Sequence, residues 1–351
     1  MRKTIAIMTG GGDCPGLNAA IRAIVRTSII DHDARAIGIL DGFEGLMKGK
    51  MRPLDFNDVS NILTLGGTIL GSSNKASLYD PEDVSDTAVK YLKEWKVDIL
   101  YCIGGDGTLT IASKFLKKWP KIIGVPKTID NDLMATDQTI GFDTACSFVT
   151  EALDRLHSTA ESHHRVMVVE VMGRNAGWVA LNGGMAGGGD IILIPEIPFR
   201  LDRIVDAVEE RRKKGKRATI VVVAEGAYPE GGKCVVKDIV KDSPDPIRLG
   251  GIGKFVADHI QAETGVESRV TVLGHLQRGG SPTFVDRMLA TSFGVAAVKL
   301  AEDGVYGKMV ALKGRAIEPV DLSSVGGAQR LVSKDSLLVK TAKSLGTSFG
   351  I

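Results

Sequence analysis

Cysteine is scarce and dispersed. Cys14, Cys102, Cys146 and Cys234 are the only four in 351 positions, and no two form a Cys-x-x-Cys pair. That spacing disfavours both a zinc site and a disulfide framework, and makes the cytoplasm the expected compartment. No stretch approaches the ~18 consecutive apolar residues of a membrane span. The opening Met1-Arg2-Lys3-Thr4-Ile5-Ala6-Ile7-Met8 holds only a strand-length apolar run, shorter than the core of a signal peptide. Charge of one sign is missing as well: 44 Lys and Arg against 42 Asp and Glu leave +2. This is too little for a dedicated nucleic-acid or membrane-surface protein, so any anion is bound locally. Neither a Walker A Gly-Lys-Ser/Thr nor a Gly-x-Gly-x-x-Gly turn is present, which removes the dinucleotide-dependent oxidoreductases from consideration.

Glycine, by contrast, is abundant. Its 42 residues make up about 12% of the chain, against a usual value of about 7%, and they cluster at 10–12, 66–67, 104–105, 187–189 and 279–280. Short β-branched runs near 4–9, 35–40, 98–103, 121–125, 166–171, 191–194, 218–224 and 269–273 read as strands. Amphipathic stretches near 16–30, 55–65, 81–95, 107–118, 144–162, 175–186, 200–214, 251–264 and 284–302 read as helices. The alternation predicts an α/β fold with mostly parallel sheets covered by helices. Such sheets bind ligands beyond the carboxyl ends of their strands, where most of the glycine clusters fall. Residues 228–251 read as an inserted surface loop with short structure of its own. The basic run 211–217 reads either as a solvated helix end or as an anion site.

Thr9-Gly10-Gly11-Gly12-Asp13-Cys14-Pro15-Gly16 follows the first strand and opens a helix, so its unshielded amides can cradle phosphate. Ile103-Gly104-Gly105-Asp106-Gly107-Thr108 repeats the design and adds a carboxylate. Asp106 either caps the helix or meets a divalent metal that bridges it to phosphate oxygens. Pro126-Lys127-Thr128-Ile129-Asp130-Asn131-Asp132 ends the next strand. If this segment is extended, Asp130 and Asp132 point the same way, one as proton acceptor and one holding metal or sugar. Asx-turn chemistry explains the same triplet without function. Arg165, Met172-Gly173-Arg174, Glu225, Arg269, His275 and Arg278 flank later strands, and several arginines with a histidine can converge on a phosphate monoester. Two glycine phosphate loops, paired aspartates and these cations together point to phosphoryl transfer between two phosphorylated ligands.

The segments GGGDCPGLNAAIR, GGDGT, PKTIDND, GFDTA, VEVMGR and LGHLQRGGSP, in this order along nearly the whole chain, resemble the bacterial-type 6-phosphofructokinase family. The GGDGT turn is shared with lipid and NAD kinases and indicates only donor phosphate and metal. The resemblance implies two Rossmann-like domains with the active site in the cleft between them. Residues 1–141 with about 277–325 would bind nucleotide and Mg²⁺, and 142–276 with about 326–351 the sugar phosphate. It implies transfer from ATP to the 1-hydroxyl of fructose 6-phosphate. Gly11, Gly107, Thr108, Lys75 and Lys127 would lie at the donor, Asp106 would hold Mg²⁺, and Asp130 would be the base. Thr128, Asp132 and Arg174 would assist at the reacting centre. Met172, Gly173 and Glu225 would fit the sugar, and Arg165, Arg269, His275 and Arg278 its 6-phosphate. Arg165 and Arg269 would come from a neighbouring subunit, which implies a homo-oligomer, a dimer or tetramer, with shared sites.

Two positions point opposite ways on the donor. Lys127 stands where strictly ATP-using bacterial relatives have glycine and pyrophosphate users have lysine, whereas Gly107 stands where pyrophosphate users have aspartate. Glycine at 107 leaves room for the α-phosphate and ribose of ATP, and exclusion outweighs attraction in setting specificity. ATP is therefore the expected donor. A pyrophosphate-dependent fructose 6-phosphate 1-phosphotransferase is the alternative, and a non-catalytic sugar-phosphate-binding subunit is a third reading. A silent subunit has no physical need for Asp106, Asp130, Asp132 and Arg174.

Overall fold

The unbroken apolar runs become strands buried on both faces. In the computed structural model, which describes residues 2–73, 77–239 and 247–351, the chain forms thirteen strands among the described residues. They are β1 (Thr4–Thr9), β2 (Arg35–Ile39), β3 (Met51–Leu54), β4 (Ile99–Gly104), β5 (Ile122–Pro126), β6 (Val166–Val171), β7 (Ile191–Leu193), β8 (Thr219–Ala224), β9 (Val236–Ile239), β10 (Ile247–Leu249), β11 (Ser268–Val272), β12 (Lys308–Lys313) and β13 (Ala316–Asp321). Every residue of β1, β4, β6 and β8 is buried, as parallel strands covered by helices require. The chain divides into two compact units, Met1–Thr144 with Arg278–Gln329, and Ala145–Gln277 with Arg330–Ile351.

The first unit holds a seven-stranded sheet of order β13-β12-β5-β4-β1-β2-β3. Its inner five strands are parallel and both outermost pairs antiparallel. Each edge strand carries a proline, Pro53 in β3 and Pro319 in β13. An edge is where a residue without an N–H costs no ladder bond, and it also blocks pairing with another chain. Met8, Leu100, Phe115 and Met309 belong to the core beneath this sheet. The second unit holds four parallel strands in the order β11-β6-β8-β7, with Val168, Val221, Phe199 and Ile260 in its core. The insertion forms a separate antiparallel pair, β9 with β10. Among the described residues no helix is long and apolar enough to cross a membrane.

Each of the eight predicted strands is present within about a residue at its ends. The helix predicted over 55–65 is not: those residues run through turns. The Asp55 side chain accepts from the Asn57 and Asp58 amides at 2.7 and 3.1 Å, and Asn61 takes φ +60°. Asx-turn bonds of this kind compete directly with helix formation. Strands β3, β12 and β13 and the helices Gly42–Met47 and Leu337–Ser344 are absent from the sequence reading.

Candidate active site

Strands β1, β4 and β5 are parallel neighbours, so the segments that leave their carboxyl ends lie side by side. The Gly10 amide donates to the Ile103 carbonyl at 3.0 Å, and the Lys127 amide to the Gly104 carbonyl at 3.0 Å. Thr108, buried in the first turn of the helix Asp106–Phe115, wedges its side chain between two of these segments. A Cβ at Gly10 would lie 2.6 Å from Thr108 Oγ1, and one at Gly104 would lie 2.4 Å from Thr108 Cβ. Both glycines are thus explained by close packing, and Thr108 locks the two loops together. Gly107 differs. A Cβ there would meet nothing within 4 Å, so the space beside the helix N-terminus is open, and amides of the first turn remain unpaired within the helix.

Asp106 opens that helix. Its Oδ1 accepts from the Gly327 amide at 3.1 Å and from Thr110 Oγ1 at 3.5 Å, and both bonds fall on the same oxygen. Among the described residues no three acidic, histidine or cysteine side chains group as a ready metal cage. A magnesium ion bound with polyphosphate needs only one or two carboxylates, because water and phosphate oxygens fill its other positions. The second Asp106 oxygen fits that requirement.

Lys127 is 2% exposed. Its Nζ donates to the Gly10 carbonyl at 2.9 Å and also to the Gly12 carbonyl, so the ammonium sits under the first glycine loop. Burial pushes the Lys127 pKa below its ordinary value. The Arg278 guanidinium lies against the same loop: a Cβ at Gly12 would overlap its Nη1. Arg278 Nε is buried with no hydrogen-bond partner, a donor that an oxyanion can satisfy. Asp130 is partly open to solvent, and its amide donates to Thr128 Oγ1 at 3.2 Å. Burial raises the Asp130 carboxyl above the usual aspartate range, opposed by the charges of Arg278 and Lys127.

The extended geometry expected for Asp130-Asn131-Asp132 is not what forms. Asn131 takes φ +52°, and its Oδ1 accepts from the Thr139 amide at 3.0 Å, so the turn chemistry operates here. Asp132 is 9% exposed and its Oδ2 accepts from Gln329 Nε2 at 3.0 Å. Lys75 lies outside the described residues.

In the second unit, the carboxyl ends of β11, β6 and β8 gather the remaining set. Met172-Gly173-Arg174 follows β6, Glu225 follows β8, and His275 lies in a 3₁₀ turn, Gly274–Arg278, just past β11. The Met172 amide donates to Gln277 Oε1 at 3.2 Å. Gln277, fully buried, also donates through Nε2 to the Gly274 carbonyl at 3.0 Å. The Glu225 amide donates to the Val171 carbonyl at 2.9 Å. Arg165 and Arg269 are not in this set. Arg165 precedes β6 and Arg269 is the second residue of β11, so they belong to the amino ends of the same parallel strands. The six residues of β6 separate Arg165 from Met172 by roughly 20 Å.

Three residues in these surroundings have no role assigned from the sequence: Gln329 on Asp132, Gln277 on Met172, and Glu267, whose carboxylate pairs with both Arg165 and Arg269. Gln277 lies inside a quoted motif, and Glu267 stands two residues before Arg269 in an extended run. Gln329 offers no local signal, being 197 residues from its partner.

The basic run is largely satisfied internally. Arg211 pairs with Asp190 at 2.7 Å, Arg212 with Glu209 at 2.6 Å, and Lys214 with Glu210 at 2.5 Å.

Comparison with known proteins gives a consistent result. The phosphofructokinase family pattern matches residues 4–301. A protein of Clostridium perfringens named ATP-dependent 6-phosphofructokinase 2 is 54% identical over 99% of this chain and 98% of its own length. One of Amycolatopsis mediterranei named pyrophosphate–fructose 6-phosphate 1-phosphotransferase is also 54% identical, over 91% of this chain and 93% of its own. Among solved structures, Pichia pastoris phosphofructokinase in the T-state superposes with a TM-score of 0.82 at 34% identity. It covers 93% of this chain, which spans only 35% of that longer one. With both sheets and the strand-end loops in place, the chain belongs to the phosphofructokinase family.

Proposed function

We propose that the protein transfers the γ-phosphoryl group of ATP to the 1-hydroxyl of fructose 6-phosphate, giving fructose 1,6-bisphosphate and ADP. The observation that carries this reading is the meeting of three strand-end loops in the first unit. Two offer glycine-rich backbone to phosphate, and the third brings Asp130 beside Lys127 and Arg278. Phosphoryl transfer passes through a loose transition state whose charge spreads over three oxygens, so placement and cations matter more than a strong nucleophile. An aspartate that desolvation makes more basic than usual suffices to take the proton as the 1-oxygen bonds to phosphorus.

The roles divide accordingly. Gly11, Gly107 and Thr108 place the donor phosphates. Asp106 is the residue we assign to Mg²⁺, which neutralises charge on the phosphate oxygens when bound. Asp130 accepts the proton, with Thr128, Asp132 and Arg174 around the reacting centre. Met172, Gly173, Glu225 and His275 receive the sugar phosphate, and Arg278 contributes its cation next to Gly12. The position of Arg165 and Arg269 at the opposite strand ends supports their serving a second subunit's site, hence a homo-oligomer. Four free cysteines accord with a cytoplasmic location.

Pyrophosphate as donor is the second reading, favoured by Lys127 and by the Amycolatopsis relative's name. The open space beside Gly107 and the name of the Clostridium relative favour ATP. The test is to incubate the purified protein with fructose 6-phosphate, ATP and Mg²⁺ and assay fructose 1,6-bisphosphate enzymatically. Turnover is expected, and absence of product with ATP overturns the proposal.

A further inference from the structure

Strands β6 and β11 start side by side. They are parallel neighbours with Val166 opposite Ser268 and Met167 opposite Arg269, and the Val166 amide donates to the Glu267 carbonyl at 3.1 Å. Residue 267 therefore stands across from 165, and residue 269, two places on, returns to the face of 267. The side chains follow this geometry. Arg165 Nε donates to Glu267 Oε2 at 2.6 Å, while Arg269 Nη2 pairs with the other oxygen, Oε1. One carboxylate holds two guanidinium groups.

We propose that Glu267 is a positioning residue for sugar-phosphate binding, fixing Arg165 and Arg269 side by side as a preformed clamp for a phosphate monoester. This rests on the reading that both arginines receive the 6-phosphate. The bond pattern separates support from competition. Arg165 spends its Nε edge on Glu267, which leaves its two terminal nitrogens for a bidentate grip on phosphate oxygens. Glu267 thus braces Arg165 without filling its terminal nitrogens, and anchors Arg269 through Nη2, with Nη1 3.4 Å from the Ser268 carbonyl.

The surroundings make a brace necessary. Arg165 and Glu267 line a cavity of about 640 Å³ together with Arg212, Lys216 and Arg217, and among the described residues Glu267 is the single acidic one on its wall. Without that carboxylate, the charged side chains that share this wall with Arg165 are Arg212, Lys216 and Arg217. The long Arg165 side chain then has to be ordered by the ligand, at the expense of affinity. The bond from Arg165 also holds the Glu267 carboxyl below its ordinary range, so it is charged at neutral pH.

The test is steady-state kinetics on the full-length protein with fructose 6-phosphate and ATP varied separately. Glu267→Gln keeps the shape and removes the charge. Its KM for fructose 6-phosphate is expected to rise about tenfold, the scale of one charge-assisted bond, while kcat and KM for ATP stay within about twofold. Glu267→Asp keeps the charge at shorter reach and should give a smaller rise in the same constant. If the Gln variant does not fold, the Asp variant is read alone against the same criteria. An unchanged or lowered KM for the sugar phosphate overturns the proposal. Arg165→Ala is measured in parallel. If it too leaves that KM unchanged, the reading of Arg165 as a phosphate ligand has failed; if it raises KM while the Glu267 variants do not, only the bracing role has.

Discussion

The ammonium of Lys127 lies 2.9 Å from the carbonyl oxygen of Gly10, a residue 117 positions earlier, and also bonds the Gly12 carbonyl. This cation draws two loop carbonyls inward, while the Gly10 and Gly11 amides are held by the Ile103 and Ser73 carbonyls at 3.0 and 3.1 Å, so the loop's shape is fixed from both sides. On the proposed reading this arrangement lets Lys127 support the loop for either donor, which weakens lysine at 127 as a sign of pyrophosphate use.

Lys127→Met should therefore lower kcat/KM for ATP and for pyrophosphate by similar factors, about tenfold or more. It should also cost about 1–3 kcal/mol of stability, because the buried Gly10 carbonyl and the partly buried Gly12 carbonyl lose their donor. Denaturant melts and parallel donor assays check this. Selective loss of one donor would show that Lys127 reads the donor directly.

Gly107→Asp should behave in the opposite way. The new Cβ enters open space, and a carboxylate in the first turn of a helix is favourable by about 0.3–1 kcal/mol, so the melting temperature should hold or rise. ATP use should fall sharply if, as proposed, the space beside Gly107 takes the α-phosphate, because the added charge and bulk would occupy it. A variant with unchanged KM for ATP would remove the steric argument.

The part of the fold that was legible in the sequence is the part whose residues announce themselves locally. Val166–Val171 and Thr219–Ala224 are unbroken β-branched runs, and both are strands. The edge strands escape notice because Pro53 and Pro319 interrupt the pattern and because β13 is mostly exposed. The 55–65 segment has helical periodicity but is governed by the Asp55 side chain. In the site, the glycine loops and Asp106 can be found from spacing alone. That Lys127 points at Gly10, that Asn131 breaks the extended Asp130–Asp132 segment, and that Glu267 joins two arginines all depend on neighbours brought in by tertiary structure.

Asp286 illustrates the same limit and yields a pH prediction. It accepts from the Gly141 and Thr144 amides at 2.9 and 2.8 Å, capping the helix Phe142–His163, while Thr283 caps Asp286's own helix. Burial raises the Asp286 carboxyl to about 6. Between its usual value of 3.8 and about 6 the folded protein binds the proton more readily than the unfolded chain. The stability Asp286 contributes is thus complete below that usual value and is lost as pH rises through the folded one. Asp286→Asn should lower the melting temperature more at pH 5 than at pH 7.5. A deficit that grows with pH would mean that the helix terminus prefers the ionised form.

Asp130→Ser should reduce kcat by roughly 10²–10⁴-fold with little change in KM for fructose 6-phosphate. Because burial raises the carboxyl of Asp130, the acid limb of the wild-type kcat profile should lie above that of an exposed aspartate. Near-normal kcat in the variant would remove Asp130 from the mechanism.

On the proposed function, the open space at Gly107, and not the charge of Lys127, decides the donor. This is tested most directly by measuring kcat/KM of the unmodified protein for ATP and for pyrophosphate, at saturating fructose 6-phosphate in one buffer. A higher value is expected for ATP. A higher value for pyrophosphate would contradict it.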